Sequence, residues 1–251
     1  MFNLPVSLMN DKINIVVVGA GGTGGYLISM LAQMNFILNK ISENKCGFNV
    51  TVYDGDEVSE FNCGRTNFYP MDIGFKKSEI LVNRINYGFD TNWVGIGKNF
   101  QCDQSLGNAD IIMTCVDSAS FRYKLGEHYE NSNTKALWFD GGNGEFDGQC
   151  IAGHLGSPMS LDKIPNVYDL YKNQLQTIED DKSQSCSHEQ SINKQSYGVN
   201  QQTALLMAQL LWQLIRKGNA QYHGAFFDLN IGDVSPLSPN KEIWESFGYT
   251  S

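Results

Sequence analysis

The chain has 251 residues, 41% of them hydrophobic, and a net charge of -9, enough apolar material for one large α/β domain or a domain with a modest appendage. The acidic balance excludes a duplex-nucleic-acid binder and a basic membrane-binding face, because both need clustered Lys and Arg. Six scattered cysteines, none in a C-x-x-C pair, suggest neither a disulfide framework nor a zinc site. With no apolar signal-like run at the N-terminus and no stretch of membrane-spanning length, the expected compartment is the cytoplasm.

Residues 13–18 form a β-branched run of the kind buried in a parallel sheet. The glycine-rich loop Gly19-Ala20-Gly21-Gly22-Thr23-Gly24-Gly25 comes directly after it, and apolar residues at helical spacing predict a helix from there to about residue 39. A polar turn at 43–47 leads to a second strand, 49–53, ending in Asp54-Gly55-Asp56. A helix over 78–85, strands over 93–96 and 110–116, a helix over 121–129 and strands over 137–140 and 149–155 come next. Residues 156–196 are polar and predict a long mobile segment with one helical stretch at 168–178. Asn200 is the expected N-cap of a long helix that stops at Gly218, and a hairpin through Gly232-Asp233 joins 225–229 to a strand at Val234. The expected fold is a Rossmann-like, doubly wound, mostly parallel sheet with an antiparallel C-terminal extension. Its expected division is a Rossmann-like core over 1–155, a mobile crossover over 156–199, and a C-terminal helix and strands over 200–251 that complete the same domain.

In such a sheet the strand ends converge on one crevice. Gly19, Gly21 and Gly24 fit G-x-G-x-x-G, with Gly22 beside them, and small residues let the backbone approach a polyphosphate at a helix N-terminus. Asp54 stands where an acidic side chain accepts ribose hydroxyls in ATP or NAD sites alike. Asp56 is read as holding a helix N-terminus, as helping to organise a metal shell, or as part of an exposed turn. Nucleotidyl transfer needs positive charge on phosphates and a carboxylate to carry Mg2+. Arg65 and Lys77 can supply the charge and Asp117 the metal ligand, although Asp117 could also cap the next helix. Lys76 is the alternative to Lys77.

The run Asp54-Gly55-Asp56-Glu57-Val58 through Asn62 and Arg65 resembles the D-x-D-x-V-x-x-x-N-x-x-R segment of the ThiF/MoeB and ubiquitin-activating enzyme superfamily. Asp72-Ile73-Gly74 through Lys77 is similar to its D-I-G-x-x-K, and Asp117 through Arg122 to its D-x-x-x-x-R. In the C-terminal half, Ser185-Cys186-Ser187 through Lys194-Gln195, Asn200, Leu210-Leu211-Trp212 and His223-Gly224 are similar to the ThiF-related proteins of the bacterial PRTRC cassette. The resemblance implies ATP and Mg2+ as cofactors. The glycines, Asp54, Asn62, Arg65 and Lys77 would hold the nucleotide and Asp117 the Mg2+. It also implies adenylation of the C-terminal Gly carboxylate of a small ubiquitin-like or sulfur-carrier protein, with a homodimer expected by analogy. Cys186 lies where relatives often carry an acceptor cysteine for a thioester. Three departures stand out: Thr66 replaces a common glutamine, no Arg precedes Arg65, and the paired C-x-x-C motifs are absent. The rival readings are an NAD-dependent oxidoreductase and a nucleotide- or partner-binding module without turnover.

Overall fold

The computed structural model describes residues 1–5, 8, 11–64, 66–159, 162–178 and 195–249. Five parallel strands form its first half: β2 (Lys12–Val18), β3 (Gly47–Tyr53), β4 (Val94–Ile96), β5 (Ile111–Thr114) and β6 (Leu137–Asn143). They are preceded by the short β1 (Phe2–Asn3) and succeeded by β7 (Asp147–His154), β8 (Asn219–Ala220), β9 (Gly224–Asp228) and β10 (Asp233–Leu237). The main sheet runs β10-β9-β7-β6-β5-β2-β3-β4, and the three pairings beyond β6 are antiparallel. The expected parallel core and antiparallel extension are therefore one continuous sheet.

The order reverses between β2 and β5, which run side by side with Val18 opposite Thr114. Helix α1 (Gly22–Ile41) leads from β2 toward β3, while α3 (Ala119–Tyr129) leads from β5 toward β6. Right-handed crossovers in opposite directions put these helices on opposite faces and open a crevice above the junction. Helix α2 (Lys77–Phe89) and α5 (Val199–Lys217) pack with α1, whereas α4 (Val167–Thr177) packs with α3. A short α6 (Lys241–Ser246) closes the chain and buries Trp244.

Several boundaries differ from the sequence reading. Strand β5 stops at Thr114 rather than 116, because the Val116 carbonyl accepts from Arg122 Nη2 at 2.7 Å instead of joining the ladder. Trp93 lies outside β4, its ring turned inward with Nε1 donating to the Phe48 carbonyl at 3.1 Å. The N-cap of α5 is Gly198, with φ of 97°, so Asn200 is inside the first turn and not the cap. The helix does end at Gly218, whose N–H donates to Leu214 O at 2.8 Å after Arg216 and Lys217. Within the polar segment, the expected helix is present as α4; residues 160–161 and 179–194 lie outside the described residues.

His154 and His223, which no sequence pattern assigned, are both buried beside Phe2 of β1, with ring centroids 6.5 Å from it. His154 Nδ1 accepts from Ile164 N–H at 3.0 Å. His223 Nε2 accepts from the Trp244 indole at 2.9 Å, while its Nδ1 lies 2.8 Å from the Ala152 carbonyl. Both rings are thereby held neutral. Burial pushes each pKa down to about 4, with Lys163 contributing at His154.

Candidate functional site

A cleft of about 1160 Å³ opens at the β2/β5 junction. Its floor is the glycine loop. Gly19 has φ of 92°, and a Cβ there would lie 2.5 Å from the Cys115 carbonyl. A Cβ on Gly24 would lie 2.0 Å from Gly19 O, so that residue shapes the loop from below instead of lining the cleft. Gly21 differs: a Cβ there meets nothing within 4 Å. Its side faces open space, into which α1 points its first N–H groups with no side-chain cap.

The end of β3 fastens this loop. Asp54 accepts from Ala20 N–H through Oδ2 at 2.6 Å and from Asp56 N–H through Oδ1 at 2.8 Å. Burial raises its pKa against the opposing pull of Lys77. Gly55 N–H donates to Asn99 Oδ1 at 3.0 Å. Ser78, in the first turn of α2, donates to the carbonyls of Asp54 and Ile96 at 3.1 and 2.9 Å. These bonds set the start of α2, and hence Lys77, at the cleft wall.

Lys77 and Lys76 separate clearly. The Lys77 side chain is 11% exposed, lines the cleft and donates to Asp56 Oδ2 at 2.9 Å. Its backbone N–H donates to Asp56 O at 3.0 Å. Asp56 therefore anchors the helix start and holds the ammonium, with 69% of its own side chain exposed. Lys76 turns toward Gly55 O at 2.8 Å and Glu57 at 3.3 Å and does not line the cleft.

Asn62 lines the cleft too, with Oδ1 accepting from Ser59 N–H and Oγ at 2.9 and 3.1 Å. Thr66, buried on the same wall, bonds through its hydroxyl to the Asn62 carbonyl. Asp117 is exposed at the opposite wall. It is not the cap of α3, since Ser118 Oγ takes the Phe121 N–H at 2.9 Å. The cleft thus brings together Gly19, Gly21, Gly22, Asp54, Asp56, Asn62, Lys77 and Asp117. Arg65 and Cys186 lie outside the described residues.

Sequence reasoning missed the bonds that hold the far wall. Arg122 is buried, with Nε 2.9 and 2.8 Å from the two Asp140 oxygens and Nη2 bonded to the carbonyls of Val116 and Gly141. Asp140 also accepts from Thr114 Oγ1 at 2.5 Å, and Thr114 accepts from Trp138 Nε1 at 2.8 Å. This buried network ties the end of β5, with Asp117 just beyond it, to the middle of β6. Arg122 is visible in the D-x-x-x-x-R pattern, but nothing in the sequence names its partner. Beyond it, Tyr171, Leu175, Gln149, Phe226 and Phe227 extend the cleft as a mixed apolar arm. Among the described residues no group of three or more His, Cys, Asp or Glu could form a metal cage.

No curated protein matches the chain by sequence. Among solved structures, E. coli MccB with ATP superposes with a TM-score of 0.60 at 14% identity, over 93% of this chain and 65% of that one. MccB with MccA-N7isoASN gives 0.61 at 16% identity and the same coverages. These identities speak for the fold, and the chain spans less than two thirds of the length of MccB. The sequence itself carries the affiliation: residues 10–241 match the ThiF family, and the chain belongs to it.

Proposed function

We propose that the chain is an ATP-dependent adenylyltransferase that activates the C-terminal carboxylate of a small ubiquitin-like or sulfur-carrier protein. One observation carries this reading: the open side of Gly21, the Lys77 ammonium and the Asp117 carboxylate face a single cleft at the sheet's switch point. E. coli MccB, which has the same fold, has been crystallised with ATP. The finer affinity, by resemblance, is with the PRTRC-associated ThiF proteins, with a cytoplasmic setting and a homodimer.

In this reading the first turn of α1 and Lys77 bind the phosphates, Lys77 exchanging Asp56 for phosphate oxygen. Asn62 and Arg65 add donors, and Asp54 keeps lone pairs for the ribose while holding the loop. Mg2+ prefers one or two carboxylates plus phosphates to an all-protein cage, and the exposed Asp117 at the wall fits that donor set. When bound, the ion would neutralise phosphate charge. The partner's carboxylate oxygen attacks the α-phosphorus, the bond to the bridging oxygen breaks, and pyrophosphate leaves with the electron pair. No general base is needed because that carboxylate is ionised near neutral pH. The chain's contribution is alignment and charge neutralisation. Cys186 is the proposed acceptor of a later step, in which its thiolate takes the acyl group and AMP leaves.

Thermal unfolding tests the reading with Mg-ATP, with NAD and with neither. At about 100 times Kd, Mg-ATP should add roughly 2.7 kcal/mol to the native state, and Lys77→Ala and Asp117→Ala should each cut that gain by at least half. Stabilisation by NAD alone would replace the reading with an oxidoreductase. Mg-ATP binding without pyrophosphate release, when a carrier ending in Gly is supplied, would leave a binding module.

A further inference from the structure

Asn200 sits in the first turn of α5, 7% exposed, and its carboxamide joins three separate parts of the cleft wall. Oδ1 accepts from Thr23 Oγ1 at 3.2 Å and from Asn143 Nδ2 at 2.9 Å. Nδ2 donates to Gln195 Oε1 at 3.3 Å. Thr23 belongs to the first turn of α1, Asn143 ends β6, and Gln195 precedes α5. The chain is pinned again one residue later, where Ser196 N–H donates to the Glu145 carbonyl at 2.8 Å.

The same carboxamide explains a glycine. A Cβ on Gly22 would lie 2.5 Å from Asn200 Oδ1 and 2.6 Å from its Cγ, whereas a Cβ on Gly21 meets nothing. Adjacent glycines thus answer to different demands: Gly21 leaves space open toward the cleft, and Gly22 lets a side chain from α5 close onto the start of α1. A buried oxygen shared by two donors fixes the separation of the elements that carry them, since hydrogen bonds weaken steeply with distance and angle.

We propose that Asn200 is a positioning residue for the nucleotide cradle. It sets the first turn of α1, where phosphates would bind, against the end of β6. The inference rests on the adenylation reading for its consequence and on the hydrogen-bond geometry for its mechanism.

The test compares wild type, Asn200→Ala, Gly22→Ala and the double variant, using calorimetric titration with Mg-ATP in the absence of any partner, and amide exchange at residues 25–28, the first amides of α1 that are hydrogen-bonded, beginning with Gly25 N–H to Gly21 O at 3.0 Å. For Asn200→Ala the expected result is cooperative unfolding, an affinity at least tenfold weaker, and exchange at 25–28 at least tenfold faster with that of β3 unchanged. Gly22→Ala should also lose at least tenfold. The double variant should match Asn200→Ala alone, because truncation removes the group that the new methyl would strike. Additive losses in the double variant would mean that Gly22 answers to the ligand, and would overturn the proposal. Wild-type affinity and exchange in Asn200→Ala would overturn it as well. Should wild type bind no Mg-ATP, the adenylation reading falls, while amide exchange still decides the positioning role. If Asn200→Ala does not fold, Asn143→Ala carries the test. A loss of at least threefold in affinity supports the proposal, and wild-type Kd overturns it.

Discussion

The two halves of the sheet contribute to the cleft in different ways. The central parallel strand, Ile111–Thr114, is short and buried at every position. Parallel strands β2, β3 and β5 act through residues just past their C-terminal ends: the glycine loop after β2, Asp54 after β3, Asp117 after β5. The antiparallel strands contribute their faces instead, with Gln149 on β7 and Phe226 and Phe227 on β9 lining the outer arm. Chemistry gathered at strand ends is compact in sequence and tolerates little change. A surface spread over several strands can vary residue by residue, which is how a partner-selecting surface would differ among relatives with the same reaction.

That contrast can be broken most severely at the joint between the halves. Arg122→Met would leave the Asp140 carboxylate buried without its cation, at a cost of about 3–5 kcal/mol, measurable by urea unfolding. Acid should act next, and on the antiparallel side. The folded pKa of His154 and of His223 is depressed to about 4, against about 6.5 when unfolded. Below pH 6.5 the unfolded chain binds more protons, so stability is full above that pH and falls as pH drops toward 4, by ~3 kcal/mol for each histidine. Protonation would cost His154 its bond from Ile164 N–H and His223 its bond from Trp244. Asp54 and Asp169, raised by burial, give a smaller contribution of opposite sign at the acid end. Replacing His223 by Gln should shallow the decline, and an unchanged pH profile would show that the ring does not carry it.

A sharper division comes from ligands. Lys77→Ala should weaken Mg-ATP by about 1.5–3 kcal/mol, the worth of hydrogen bonds to a charged group, and leave partner capture intact. On the reading that the outer arm seats the proposed partner, Phe226→Ala should do the reverse, costing the partner about 1 kcal/mol with nucleotide Kd unchanged. A variant that moved both would join the arms energetically. The smallest effect is expected for Gly21→Ala: stability within about 0.5 kcal/mol of wild type, because the methyl meets no protein atom, yet nucleotide affinity lost.

The legible part of the molecule lies along the same boundary. The strand–loop–helix unit over β2 and α1, the acidic end of β3 and the cleft position of Lys77 are readable because local periodicity and short motifs specify them. Strand β1 has two residues and α6 six, too few for any period, so neither is legible. Arg122 and Asp140 lie 18 residues apart and Asn200 and Thr23 177 apart. Only the folded topology brings such pairs together, and so the sequence suggests a cap in Asn200 where the fold makes it a clamp. The buried histidines are opaque for a related reason: their partners are backbone groups and an indole from elements that carry no motif.

The outer strands of the sheet also bear on how the chain keeps company with its own kind. At one margin stands β4, three residues long; at the other stands β10, with four of its five residues solvent-facing and Pro236 within it. A proline cannot donate to a neighbouring ladder, and a strand of three residues offers little template. Both borders therefore discourage accretion of a further strand, so folded molecules in a crowded solution are guarded against edge-to-edge pairing. Association of folded copies is left to side-chain surfaces, where recognition can be selective.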